Sequence, residues 1–187
     1  MNYIQPDPEI QGWMGAQELQ WLYERASEMD SIVEVGSWKG RSTHALLSGC
    51  KGTVVAVDHF LGSASERDGA HALAKTQDIF KAFWKNVGHF SNLIVLKRNS
   101  PEAASLFGDN KVDMIFVDGD HAEQAFLADV TGWLPKCRKL FCGHDTTQDG
   151  VPKVLGRFRF QFHEVGSIWY IDRDLIEIQK QKLKGAT

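Results

Sequence analysis

The stretch Ile32-Val33-Glu34-Val35-Gly36-Ser37-Trp38-Lys39-Gly40-Arg41-Ser42-Thr43 decides the fold. It opens as a short β-branched run, which favours a strand, and it stops at Gly36. Gly40 follows, then two hydroxyl residues, Ser42 and Thr43, either of which can cap a helix. Glycines at such a turn let the backbone bend tightly and come close to a ligand. The start of the helix offers free N–H groups and partial positive charge. Strand, glycine turn and helix in that order make one unit of an α/β fold, and the unit repeats outward. Strand-like runs recur at residues 53–58, 93–96, 112–118 and 139–143, with helical segments at 41–48, 71–87, 101–107 and 122–134. Near-continuous apolar strands alternating with helices predict a mostly parallel sheet with helices on both faces. The end of the chain differs. Residues 158–165 and 168–171 read as two strands joined by Gly166-Ser167, a hairpin dipeptide. Upstream, Leu19, Trp21, Leu22, Tyr23 and Ala26 have the spacing of an amphipathic helix over 16–29. The residues after Arg173 read as a short basic helix that frays at Gly185.

The 187 residues suit a single domain, since domains usually run about 100–200 residues. We divide the chain into a lead-in and first helix (1–29), a core (31–173) and a tail (174–187). With 43% hydrophobic residues, 24% charged residues and a net charge of -3, the chain is neither disordered nor a strongly basic nucleic-acid binder. No apolar run approaches the roughly 20 residues that cross a bilayer. The start, MNYIQPDPEI, lacks the basic and apolar parts of a signal peptide. Cys50, Cys137 and Cys142 lack metal-knuckle spacing and read as thiols in a reducing compartment. A cytoplasmic protein is expected.

Ligands of an open parallel sheet bind beyond the carboxyl ends of its strands. Here those ends are polar. The glycine turn is of a nucleotide-binding kind, though it matches neither the dinucleotide fingerprint nor a P-loop. The second strand ends in Asp58, roughly 20 residues further on, where an acid can accept both hydroxyls of a ribose. The fourth and fifth strands end in Asp118-Gly119-Asp120-His121 and Gly143-His144-Asp145. Carboxylate with imidazole is a ligand set for a divalent metal, and it also supplies a general base. The plainer alternative has Asp120 and Asp145 capping helices and His121 packing at the surface.

Together these motifs resemble the class I S-adenosylmethionine-dependent methyltransferases, over about Gly12 to Asp172. Within them the chain is similar to the small methyltransferase-24 type, related to small-molecule O-methyltransferases and to cephalosporin-hydroxylase-like proteins. Gly12-Trp13-Met14 and Ile168-Trp169 look like this branch too. The resemblance implies a Rossmann-like sheet of seven strands in which only the last runs antiparallel. It implies that Glu34, Gly36, Ser37, Gly40 and Ser42 surround the methionine part of S-adenosylmethionine. Asp58 would bind the ribose with His59 beside it, Asn99 and Ser100 would lie by the adenine, and Asp118 would face the sulfonium. Metal-dependent relatives carry two acids after strand five, where this chain has His144-Asp145. A metal on Asp118, His144 and Asp145 would then be softer than magnesium, which prefers oxygen ligands.

The activity implied is O-methylation of a small-molecule or sugar-like acceptor. The candidate catalytic residues are His144 as first base, His121 as second, and Asp118. Other readings are a hydroxylase-like or non-catalytic metal- or cofactor-binding protein on the same fold, and a nucleic-acid methyltransferase. The strand-four motif argues against the last, and the basic cluster Lys136–Lys139 reads as a solvated face. No membrane partner is implied; a homodimer is left open. The polar segment from Leu61 to Ala74, with Arg67, reads either as a lid over the pocket or as a surface loop.

Overall fold

A computed structural model of the chain describes residues 2–6, 8–63, 72–148 and 150–186. Seven strands form one sheet: β1 (Ser31–Val35), β2 (Thr53–Val57), β3 (Leu93–Leu96), β4 (Val112–Val117), β5 (Cys137–Gly143), β6 (His163–Val165) and β7 (Ile168–Asp172). Their order is β3-β2-β1-β4-β5-β7-β6. The first five pair in parallel, and β7 runs antiparallel to both β5 and β6. This is the predicted Rossmann-like architecture with its C-terminal hairpin.

The helices are α1 (Ala16–Ala26), α2 (Arg41–Gly49), α3 (Ile79–Val87), α4 (Ser100–Ala104), α5 (Glu123–Trp133), α6 (Gly150–Arg157) and α7 (Arg173–Ala186). Alternation along the strands feeds two cores. Ile32, Met114 and Phe116 point to one face and pack with Leu19 and Leu22 of α1, Leu46 of α2 and Phe83 of α3. Val33, Ile115 and Val117 point to the other and pack with Phe126 and Trp133 of α5, Val154 of α6 and Ile176 of α7. No helix among the described residues is long and apolar enough to cross a membrane. The three cysteines are free and buried.

Three expectations need correction. The helix expected over 71–87 is interrupted: Ala72 is helical and Leu73–Lys75 form a 3₁₀ turn, and a separate helix starts at Ile79, where Asp78 accepts the Lys81 N–H at 2.9 Å as an N-cap. The strand expected over 158–165 shrinks to β6. Residues 150–157 form α6 instead, and Phe158 and Phe160 turn into the core with Arg159 between them in the left-handed region (φ 49°). The expected fraying tail is α7, a helix through Ala186 whose Ile176, Gln179, Lys180 and Leu183 are buried.

The register sets up the site. Val35 pairs with Val57 and with Val117, and Val117 pairs with Gly143. The next residue on each strand, Gly36, Asp58, Asp118 and His144, therefore falls in one row. Strand order reverses between β1 and β4, the point where such sheets open a crevice.

Candidate active site

Above that row lies a cavity of about 840 Å³. Its size suits a nucleoside-bearing ligand, since small-molecule pockets run roughly 300–1,000 Å³. Gly36, Ser37, Ser42, Asp58, His59, Asn99, Ser100, Asp118, His121, His144 and Asp145 all reach its wall. Glu34 and Gly40 are not among the lining residues.

The glycine turn is held by neutral donors. Gly36 adopts φ +86°, and a Cβ there would fall 2.1 Å from the Asp118 carbonyl oxygen, so only glycine lets β1 and β4 end side by side. Asp58 accepts the N–H groups of Ser37 at 2.9 Å and Trp38 at 2.8 Å with one oxygen, and that of Phe60 with the other. It thus stitches the end of β2 to the turn after β1 while remaining on the wall. Glu34 lies fully buried behind the turn and accepts the Ser42 hydroxyl at 2.6 Å and the Thr43 hydroxyl. Burial pushes its carboxyl up to about 7, against the pull of those hydroxyls. Its place is to fix the start of α2. Gly40, at φ +91°, caps α2 and faces Phe83 and Val87 of α3.

At the other half of the cavity the groups are charged. Asp145 sits in the left-handed region at φ 62° and lies 3.1 Å from both His121 Nε2 and His144 Nδ1. Asp118 is 3.8 Å from His144 Nδ1 and 4.0 Å from His121 Nε2. His144 is buried, and its Nε2 faces Glu18 Oε1 at 3.2 Å. Burial alone would lower the His144 pKa, but the bond to Asp145 and the charges of Asp118, Asp145 and Glu18 outweigh it and raise it to about 9. Both nitrogens are engaged, and the carboxylates around them favour the imidazolium. The role of base expected from its place after β5 would require it to release one of these contacts. Burial opposes ionisation of Asp145, yet bonds from His121 and His144 hold its carboxyl well below the usual range.

Donor atoms of Asp118, His121 and Asp145 lie within 4.8 Å of one another and could hold a metal ion. The expected set named His144, whose Nδ1 lies 3.1 Å from Asp145 and 3.8 Å from Asp118; His121 Nε2, at 3.1 and 4.0 Å from the same two acids, is a second imidazole for such a set. Two carboxylates and one imidazole fit manganese, iron or zinc better than magnesium.

Contacts that the sequence did not show hold the walls in place. Arg41 of α2 donates to the carbonyls of Met14 at 2.8 Å and Ile10 at 2.7 Å and pairs with Glu9. This clamp lays Gln11, Gly12, Trp13 and Met14 along the cavity. Glu18 of α1 also accepts the Ser167 N–H of the β6–β7 turn at 2.8 Å, tying the first helix to the hairpin beside His144. Asp129 of α5 accepts the Ser100 hydroxyl, and Ser100 accepts the Trp133 indole N–H at 2.8 Å. Burial pushes Asp129 up to about 6. The central part of the expected lid, residues 64–71 with Arg67, lies outside the described residues. The basic cluster is not a merely solvated face: Lys136 pairs with Asp109 at 2.7 Å, and Arg138 and Lys139 pair with Asp113.

A family model described as a methyltransferase domain matches residues 33–142, from β1 into β5. Among solved structures, an O-methyltransferase from Bacillus cereus in complex with SAH is 19% identical, covers 86% of this chain and 82% of its own, and has a TM-score of 0.58. A cofactor-bound protein from MTB is 15% identical, with coverage of 89% and 85% and a TM-score of 0.62. A precorrin-6y C5,15-methyltransferase from Geobacter metallireducens is 12% identical, with coverage of 87% and 82% and a TM-score of 0.59. Identities this low establish a common fold. None of the curated proteins compared matches the chain.

Proposed function

The chain belongs to the methyltransferase domain family, and on that premise we propose that it moves the methyl group of S-adenosylmethionine to a hydroxyl of a small molecule. One observation carries the reading. The strand-end row puts a ribose acid, Asp58, and an Asp/His cluster, Asp118, His121, His144 and Asp145, on the wall of one cavity. The first suits a nucleoside. The second suits the removal of a proton from an acceptor. The SAH complex of the Bacillus cereus protein, on the same fold, supports the choice of donor.

The chain's own work is alignment and proton handling. Asp58 and the N-terminus of α2 hold the donor's nucleoside and methionine ends. The walls that bear Trp13 and Trp38 confine the acceptor. Holding nucleophile and carbon in line contributes about 7–11 kcal/mol in good cases. His121, whose Nε2 faces Asp145, takes the acceptor's proton. Such a positioned base adds roughly 10²–10⁴-fold. His144 stays charged and anchors Asp145. A divalent cation held by Asp118, His121 and Asp145 would supply Lewis acidity that lowers the hydroxyl's pKa, and would do so in place of His121 as base.

The test is transfer of labelled methyl from S-adenosylmethionine to a panel of phenolic, catecholic and sugar hydroxyl acceptors, with EDTA or with manganese. Label on a hydroxyl oxygen supports the proposal. Label only on carbon or nitrogen would overturn its acceptor class, and loss of transfer in EDTA would assign the cluster to a metal rather than to His121 as base.

A further inference from the structure

Among the described residues two lysines are buried, Lys180 at 6% exposure and Lys39 at 8%. Their partners differ in kind. Lys180 meets a carboxylate, that of Glu177, at 2.7 Å. Lys39 meets only amides among the described residues: its Nζ donates to Gln11 Oε1 at 2.6 Å and to Gln77 Oε1 at 3.2 Å. The Trp38 ring is its other neighbour, with the centroid 5.7 Å from Nζ. A ring face attracts a cation but cancels no charge. Lysine is almost never fully buried unless paired, and its ammonium has three hydrogens to place. Two amide oxygens take two of them and leave the charge uncompensated.

That cation stands beside the cavity. Gln11 and Trp38 both line the wall, and Trp13, on the same wall, packs its ring 6.0 Å from that of Trp38. The other cation of this region is already matched, since Arg41 pairs with Glu9 and donates to the Met14 and Ile10 carbonyls. We propose that Lys39 and Gln11 form an anion site for the acceptor, which therefore carries a carboxylate or phosphate group besides its hydroxyl. The anion takes one hydrogen from the Lys39 ammonium and one from the Gln11 side-chain NH₂, whose amide oxygen already accepts from Lys39. The body of the acceptor lies against Trp13 and Trp38. Assigning the anion to an acceptor rests on the proposed methyl transfer; the anion site itself does not.

The donor carries a carboxylate too, so the test separates the two sources. NMR signals of the full chain are followed during titration with inorganic phosphate, with S-adenosylhomocysteine saturating and without it, and against chloride at matched ionic strength. With S-adenosylhomocysteine bound, the Trp38 indole and Gln11 amide signals should shift saturably with phosphate and not with chloride. Lys39→Met should weaken phosphate binding by about 10-fold or more, the worth of a hydrogen bond to a charged group. Gln11→Glu should do the same, because it supplies the missing carboxylate from within, and it should raise the urea midpoint.

A wild-type chain with no saturable shift would overturn the site. So would a Lys39→Met variant that binds phosphate unchanged, or a Gln11→Glu variant with a lowered midpoint. Phosphate binding that S-adenosylhomocysteine abolishes would give the cation to the donor's carboxylate and overturn the acceptor assignment. Failure of the wild-type chain to bind S-adenosylhomocysteine would overturn the cofactor reading, and the titration without it would still decide for or against the anion site.

Discussion

Asp113 and Asp118 stand at opposite ends of β4, and their surroundings differ in kind. Asp113 is fully buried at the amino end and meets more positive charge than it carries. Arg138 donates to one oxygen, and Lys139 and the Asp30 N–H each reach the other at 3.0 Å. Burial would raise its pKa, but Arg138, the Asp30 amide and Lys139 hold it down at about 2. Asp113 does not line the cavity. At the carboxyl end, Asp118, Asp145 and Glu18 gather around two histidines on a cavity wall. Acids outnumber imidazoles. That surplus of negative charge suits a cationic donor or a divalent cation. One strand therefore carries a compensated acid that holds the fold and an under-compensated cluster to which the proposed chemistry is assigned, and perturbed acids alone do not tell the two apart.

The comparison breaks most sharply under Asp145→Asn, since Asn tolerates the left-handed backbone that Asp145 occupies. Methyl transfer should fall by about 10²–10⁴-fold. The affinity for S-adenosylhomocysteine should stay within about threefold, by analogy with sites whose binding and chemical groups are separate. Turnover and calorimetry on one preparation check both, and a parallel loss of affinity would merge the two halves of the cavity.

The two ends should also differ in pH response, since only the carboxyl end carries a group that fails in alkali. The His144 pKa is raised from 6.5 to about 9, so its contribution is complete below pH 6.5 and disappears as pH climbs through 9. That is up to about 3 kcal/mol. The Asp113 pKa is lowered from 3.8 to about 2, so its contribution is complete above pH 3.8 and disappears as pH drops through 2. Urea unfolding across the pH range should show both limbs; His144→Gln should flatten the alkaline one and, because His144 also holds the Asp145 carboxyl down, weaken part of the acid one.

The smallest expected effect is that of Asp113→Ala. The Arg138 and Lys139 side chains are 48% and 32% exposed and can return to water, so the loss should be about 2 kcal/mol, below the roughly 3–5 kcal/mol of a sealed pair. Activity per folded molecule should not change. Urea midpoints paired with turnover numbers test this; lost activity at full folding would extend the functional cluster down the strand.

Sequence alone carried the sheet because each strand is a local β-branched run, and it carried the strand-end motifs because they follow those runs directly. What it missed depends on contacts between distant segments. Glu18 meets His144 126 residues away, and Arg41 reaches back 31 residues to Ile10. Asp129 looks like any polar residue on a helix until Ser100 is seen beneath it. Helix α6 was obscured by Gly150, Pro152 and Gly156, which are poor helix formers, and by the alternation of Phe158 and Phe160, which imitates a strand. A single left-handed residue, Arg159, produces that alternation in the structure. That His121 joins Asp118 and Asp145 as closely as His144 does was hidden for a similar reason, since only the fold brings its Nε2 to 3.1 Å from Asp145.

A crystal structure of the chain with S-adenosylhomocysteine tests the central claim most directly. The account predicts the ligand in the cavity above the strand-end row, with ribose hydroxyls on Asp58, sulfur beside Asp118 and the base by Asn99 and Ser100. A ligand bound elsewhere, or a cavity that stays empty at saturating ligand, would contradict it.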